Sequence, residues 1–204
     1  MSATYITTIA TTEQIASTIK DGFLKGHSQK RVAVVGRSNV GKSTLINSIV
    51  GEKVARTSQT PGKTRAIHFF LWEGQDVIVV DLPGYGFAQV SKSEQRRWGE
   101  FIDAYLRSDE KLSAILILID ARHGPTGTDR EAIEFFLDIG KPIVFVMTKT
   151  DAIKNQKQKS ASTKNMKAFI TELESRSDLN SKTLWVSSKN NENIPHLKKI
   201  IKEY

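Results

Sequence analysis

Residues Gly36-Arg37-Ser38-Asn39-Val40-Gly41-Lys42-Ser43 match the pattern G-x-x-x-x-G-K-[ST] at every fixed position. They follow the apolar run Arg31-Val32-Ala33-Val34-Val35 and precede Thr44-Leu45-Ile46-Asn47-Ser48-Ile49-Val50, which reads as a helix. A strand, a glycine loop and a helix in that order are what a phosphate-binding loop requires. The glycines let the backbone wrap closely around an anion. Loop N–H groups and the helix N-terminus then point at the β-phosphate of a nucleotide. On this reading Gly36 through Thr44 form the cradle, Lys42 reaches the β- and γ-phosphates, and the Ser43 hydroxyl ligates Mg²⁺. The competing reading is a glycine-rich turn that binds nothing, and it leaves the Lys-Ser pair unexplained.

The rest of the chain fits that start. Apolar runs alternate with helical patterns, which predicts an α/β fold. Strands are expected near 31–35, 66–72, 76–81, 113–120, 142–148 and 182–187, and helices near 12–24, 42–50, 92–107, 128–138, 160–175 and 194–202. Ile115-Leu116-Ile117-Leu118-Ile119 and Ile143-Val144-Phe145-Val146-Met147 are unbroken apolar runs, as in strands covered on both faces. Only Glu73-Gly74-Gln75 separates the second and third runs, too short for a helical crossover, so those two strands should form a hairpin. The expected architecture is three-layered: a six-stranded, mainly parallel sheet with one antiparallel strand and helices on both faces. A single domain over 1–204 is expected, with a short helix before the first strand.

Composition removes several function classes. There is no cysteine, which excludes disulfides, a thiolate zinc site and a thiol nucleophile. The histidines His27, His68, His123 and His196 are scattered and show no metal-ligand spacing. No apolar run approaches a membrane span, and the N-terminus lacks the pattern of a secretory signal. A cytosolic, monomeric protein is expected. A net charge of +8 and a pI near 9.6 fit an acidic partner such as nucleic acid.

Later motifs select the base. Asp81-Leu82-Pro83-Gly84 ends an apolar run. A carboxylate there can hold water on Mg²⁺, and the Gly84 N–H can reach a γ-phosphate. Thr148-Lys149-Thr150-Asp151 resembles the N-K-x-D guanine box with threonine in place of asparagine. The Asp151 carboxylate can accept from guanine N1–H and the exocyclic amine, a donor pair that adenine lacks. The Lys149 stem would cover the base. Ser187-Ser188-Lys189 takes the place of the S-A-K element, whose backbone contacts the guanine oxygen. Between the first two motifs lies Thr57-Ser58-Gln59-Thr60-Pro61-Gly62-Lys63-Thr64-Arg65, which suits a mobile switch loop. Thr64 is the choice for the threonine that closes on Mg²⁺, with Thr57 and Thr60 as alternatives. Lys42, Thr64 and Gly84 are therefore the catalytic candidates, and Ser43, Thr64 and Asp81 the metal candidates. Gly62, Lys63, Arg65, Leu82 and Pro83 complete the candidate nucleotide site.

Four stretches narrow the family. Gly36 through Ser43, Thr60-Pro61-Gly62-Lys63-Thr64, Asp81-Leu82-Pro83-Gly84-Tyr85-Gly86 and Asp120-Ala121-Arg122-His123-Gly124-Pro125-Thr126-Gly127-Thr128-Asp129 together closely resemble the EngB family, also called YihA or YsxC. The last stretch matches that family's D-x-R-x-x-P-T-x-x-D. The resemblance spans roughly residues 12–204 and implies a bacterial translation-factor-related GTPase that assists large-subunit ribosome assembly. It also implies division and septation defects on depletion, read here as a consequence of poor ribosome supply. Two departures stand out. Thr148 lacks the carboxamide that ties the guanine box to the phosphate loop, so a weaker tie is expected. Ala152 stands where a lysine is frequent among relatives.

The mechanism expected is positioning and charge neutralisation. Tyr85 occupies the place of the water-orienting glutamine of many signalling GTPases and has no carboxamide, so slow intrinsic hydrolysis is expected. Arg37, Arg56 and Arg65 are candidate fingers in cis. Asn39 either holds a K⁺ ion that mimics an arginine finger or braces the loop. The segments 55–65 and 82–92 should order with GTP and loosen after hydrolysis. Lys154, Lys157, Lys159, Lys164 and Lys167 lie in a stretch, 152–171, without an acidic residue. They fit phosphate contacts to rRNA or a merely solvated helix face. Alternatives for the whole chain are a signalling or structural GTPase that works through a protein effector without RNA.

Overall fold

The computed structural model describes residues 2–22, 24–55, 66–86, 91–175 and 181–204. In chain order the elements are β1 (Ala3–Ile9), α1 (Glu13–Ala16), β2 (Lys30–Gly36), α2 (Lys42–Val50), β3 (Ile67–Trp72), β4 (Val77–Asp81) and α3 (Lys92–Ser108). They continue with β5 (Leu112–Asp120), α4 (Gly127–Leu137), β6 (Ile143–Thr148), α5 (Gln156–Glu174), β7 (Ser181–Trp185) and α6 (Ile194–Glu203). The strands form one sheet in the order β1-β3-β4-β2-β5-β6-β7. β3 pairs antiparallel with both β1 and β4, and the remaining pairs are parallel. The short link between β3 and β4 makes the expected hairpin, with Gly74 and Asp76 in left-handed conformation.

Strict alternation along the central strands builds the layers. In β5, Ile115, Ile117 and Ile119 pack with Ile102 and Tyr105 of α3, Ile133 and Phe136 of α4, and Met166 and Phe169 of α5. Leu116 and Leu118 face the other way, onto Leu45, Ile46 and Ile49 of α2 and Leu197 and Ile201 of α6. Covering both faces is why this strand reads as one apolar run. Each fully buried side chain of this kind stabilises the fold by about 1.5–3 kcal/mol. Two helices start on capping boxes, Ser91 with Glu94 for α3 and Thr126 with Asp129 for α4. Trp98 packs against the first layer while Arg96 pairs with Glu100 on the surface.

Two expectations need correction. The sheet has seven strands, not six. The extra one, β1, is an edge strand of β-branched residues, Thr4, Ile6, Thr7, Thr8 and Ile9, the side chains that suit a pleated surface. It is zipped to β3 by the ladder and by Thr8 Oγ1 bonding His68 Nδ1 at 2.7 Å. Second, the helix expected near 12–24 runs over Glu13–Asp21 and changes type within it. The α-helical part is Glu13–Ala16, followed by a π-helical segment, Ser17–Asp21. The Ser17 hydroxyl donates to the Gln14 carbonyl, the local competition that makes serine a poor helix former. Gly22 then lets the chain double back. A Cβ there would lie 2.6 Å from the Ser17 carbonyl oxygen.

Candidate nucleotide site

The parallel strands β2, β4, β5 and β6 deliver Gly36, Asp81, Asp120 and Thr148 to one edge of the sheet, at their C-terminal ends. In open α/β sheets this is where ligands bind. The loop from Gly36 to Gly41 turns there with Asn39 (φ 63°) and Gly41 (φ 101°) in left-handed conformation. Gly36 has no room for a side chain, since a Cβ would stand 2.8 Å from Val40 Cγ1 and 2.9 Å from Leu118 Cβ. Gly41 caps α2, whose first turn holds Lys42, Ser43 and Thr44 and no acidic residue. The positive end of that helix therefore carries no competing carboxylate of its own.

The Asp81-Leu82-Pro83-Gly84 turn is buried and sits directly on this loop. Leu82 N–H donates to the Val34 carbonyl (3.0 Å), Tyr85 N–H to Gly36 (3.3 Å) and Ser38 N–H to Tyr85 (3.1 Å). A Cβ on Gly84 would approach the Gly36 carbonyl oxygen to 3.0 Å, so any larger residue would push the turn off the loop by a few tenths of an ångström. Lys42 Nζ donates directly to Asp81 Oδ1. The lysine that would meet phosphate and the carboxylate that would face a metal are thus one bond apart.

The oxygen donors here fit Mg²⁺. A hydroxyl (Ser43) and a carboxylate (Asp81) are hard ligands, and Mg²⁺ is commonly held by one or two protein oxygens together with waters and substrate phosphates. A protein-only metal cage is not required, and none of three or more acidic, histidine or cysteine side chains occurs among the described residues. Thr64 lies outside the described residues, as do Gly62, Lys63 and Arg65 and the alternatives Thr57 and Thr60.

The base end is built by β6 and β7. Thr148 is buried, and its hydroxyl donates to the Val40 carbonyl at 2.8 Å, with the Ile119 carbonyl at 3.3 Å as the other acceptor in reach. The tie between guanine box and phosphate loop is thus present with threonine in place of asparagine. Threonine makes the tie with a shorter side chain. Lys149 (φ 61°) sends its ammonium back to the Asn39 carbonyl at 2.5 Å and to Asp120 Oδ2 at 3.1 Å. Its Cε runs 3.7 Å from where a Cβ on Gly41 would be. Asp151 is exposed, and Ser187 Oγ donates to its Oδ1 at 2.6 Å. Ser187 Oγ in turn accepts from Asn190 N–H at 3.1 Å. One carboxylate oxygen is thus anchored, which fixes the plane of the group that would read the base. Thr150 bonds Glu192, Ser188 is half-buried and Lys189 exposed.

Sequence reasoning left the Asp120–Asp129 stretch without a role, and the structure supplies two. Asp120 is buried and accepts from Arg122 N–H (3.0 Å), Arg122 Nε (2.9 Å) and Lys149. Burial alone would raise its pKa, but the hydrogen bonds from Arg122 and Lys149 win and hold the carboxyl well below the usual range. Asp129, also buried, accepts from Tyr85 Oη at 3.0 Å. Arg37 Nε is 3.9 Å from the same oxygen, so this candidate finger pairs with Asp129. Burial first, then the Asp129 charge, push the Tyr85 phenol far above its ordinary pKa, so it remains a donor. The helix expected near 128–138 already put Asp129 at a helix start, and the T-x-x-D spacing from Thr126 is the signal for its capping box.

Known proteins similar to this chain are GTP-binding proteins. A family described as "50S ribosome-binding GTPase" matches residues 31–149, and the "Elongation factor Tu GTP binding domain" matches residues 98–204. The "Probable GTP-binding protein EngB" of Clostridium botulinum (strain Alaska E43 / Type E3) is 47% identical over 154 residues, covering 75% of this chain and 77% of the relative. A crystal structure of a probable GTP-binding protein EngB superposes with TM-score 0.63 at 27% identity, over 85% of this chain and 100% of that one. Era in complex with MgGDPNP and nucleotides 1506–1542 of 16S ribosomal RNA has TM-score 0.63 at 28% identity, over 86% of this chain and 56% of that one. The phosphate loop, the turn that rests on it and the guanine box thus sit in a GTP-hydrolysing fold, and the chain belongs to the EngB family of GTP-binding proteins.

Proposed function

We propose that this chain is a slow GTPase switch, one G domain spanning 1–204, that binds precursors of the large ribosomal subunit in the bacterial cytosol and leaves after hydrolysis. The observation that carries the guanine part is Asp151, held by Ser187 at the same sheet edge as the phosphate loop. Gly36 through Thr44 cradle the phosphates, Lys42 and the Gly84 N–H neutralise and sense the γ-phosphate, and Thr64 closes the site. Ser43, Thr64 and Asp81 would hold Mg²⁺, which supplies charge neutralisation at the phosphates. Asn39, whose carbonyl already braces Lys149, is the residue through which K⁺ would act. Tyr85 carries no carboxamide to orient water, and its hydroxyl is spent on Asp129, which supports slow intrinsic hydrolysis.

The ribosomal part rests on surface chemistry and on kinship. Lys154, Lys157, Lys159, Lys164 and Lys167 are all exposed and form no ion pair among the described residues. An open groove of about 560 Å³ on α5 is lined by Lys159, Lys164 and Lys167 with Ser160, Thr163 and Thr171. A groove lined by ammonium and hydroxyl donors, with no acidic residue in its lining, suits a phosphate backbone. The similarity over 56% of Era, a protein whose structure was solved with 16S ribosomal RNA, supports the reading. Division and septation defects would follow from failed ribosome supply. The test is a salt titration of large-subunit particle binding by the wild type and a Lys157→Glu/Lys164→Glu variant. Weaker binding and a log–log salt slope reduced by somewhat under one unit per lost contact are expected. An unmoved affinity and slope would favour a protein effector.

A further inference from the structure

The Asp120–Asp129 stretch spans the site from base to γ-phosphate end, and its second carboxylate has no counterpart in the nucleotide contacts described above. Asp129 meets three elements at once. Its Oδ2 accepts from Thr126 N–H (2.9 Å) and Thr126 Oγ1 (2.7 Å), which fixes it to the start of α4. Its Oδ1 takes the Tyr85 hydroxyl, and Arg37 of the phosphate loop stands beside that oxygen. Arg37 Nε is buried and has no hydrogen-bond partner, so its attraction to Asp129 is purely that of charge. Tyr85 directly follows Gly84, and its backbone is clipped to the loop on both sides, N–H to Gly36 and carbonyl to Ser38. The next residue, Gly86 (φ 74°), is packed so that a Cβ would lie 3.0 Å from Thr128 Cγ2 and 3.1 Å from Arg37 Cγ. The Asp81–Gly84 turn is thus held at its far end by a side chain anchored on another element.

We propose that Asp129 is a positioning residue that, through the Tyr85 hydroxyl, holds Gly84 at the distance from the phosphate loop at which its N–H meets a γ-phosphate. The carboxylate touches no substrate and acts through Tyr85. The α4 N-terminus thereby sets the register of a turn whose other ties to the phosphate loop and its helix are main-chain bonds and, at its near end, the Lys42–Asp81 pair. The inference rests on Gly84 being the γ-phosphate sensor.

Its signature is discrimination between nucleotides. GDP has no γ-phosphate, so loosening the turn leaves GDP binding alone and weakens a non-hydrolysable GTP analogue. Tyr85→Phe removes one hydroxyl and keeps the buried ring. It should lower the ratio of GTP-analogue to GDP affinity by roughly three- to tenfold, the worth of one hydrogen bond. Asp129→Ala, which removes the acceptor outright, should lower it at least as far. The double variant should add little to the larger single effect, because both remove one bond. Fluorescent-nucleotide titrations measure the ratios, and thermal unfolding runs beside them. A ratio unchanged in Tyr85→Phe, whatever its melting temperature, makes the bond a core contact and overturns the proposal, as do additive effects in the double variant. Gly84→Ala is the control for the underlying reading. If it leaves the ratio at the wild-type value, the sensor assignment itself fails; if it lowers the ratio while Tyr85→Phe does not, only the role of Asp129 fails.

Discussion

Thr148→Val tests the tie between the guanine box and the phosphate loop. Valine keeps the β-branched shape at a site only 4% exposed and deletes the hydroxyl that donates to Val40 at 2.8 Å. A buried carbonyl that loses its donor costs about 1–3 kcal/mol. The Val40 carbonyl belongs to the loop, so part of that cost falls on the loop conformation that binds phosphate. If about 1 kcal/mol of it does, then at about 1.4 kcal/mol per factor of ten GDP affinity should drop by about fivefold. Thr148→Ser is the matched control. It keeps the hydroxyl and loses one methyl, so it should lose about 1 kcal/mol of stability yet keep GDP affinity within about twofold. Fluorescent-GDP titration and urea unfolding separate the two costs. Equal GDP affinities for the valine and serine variants would refute the reasoning, because the hydroxyl would then be shown to do nothing for the loop.

Asp151→Asn should shift base preference from guanine toward xanthine, since an amide donor suits the oxygen that xanthine carries in place of the amine; competition between GDP and xanthosine diphosphate reads this, and an unchanged preference contradicts the assignment. Lys42→Ala should weaken binding of both GDP and GTP, whereas Ser43→Ala should weaken mainly Mg²⁺-dependent GTP binding, as a magnesium titration of each variant would reveal. Asp120 has its pKa depressed in the folded state, so its stabilisation is complete above the ordinary aspartate pKa of about 3.9 and fades as pH falls below it. Asp120→Asn should therefore lower stability at neutral pH and flatten the acid limb of the stability curve; an acid limb identical to wild type would show that this carboxylate is not coupled to folding.

The sequence made the site's backbone legible because that backbone is dictated by residue type. Gly36 is there because nothing larger fits, and Gly41 because the chain turns left-handed. β5 and β6 were legible because both faces are covered, which forces unbroken apolar runs. β1 was not, because a Thr-rich edge strand with Tyr5 53% exposed carries no clean alternation. The side-chain ties were illegible for a different reason. Thr148–Val40, Asp129–Tyr85 and Lys149–Asp120 join residues 108, 44 and 29 positions apart, and only the folded sheet brings them together. The Asp120–Asp129 motif was visible as a family resemblance, but its work as a brace lies in contacts made across the sheet edge.

The central claim is that nucleotide state governs attachment to a ribosomal precursor. Co-sedimentation of the purified protein with large-subunit precursor particles, in a non-hydrolysable GTP analogue and in GDP, tests it most directly. The protein should travel with the particles in the analogue and stay behind in GDP. Equal recovery in both nucleotides, or no recovery in either, would contradict it.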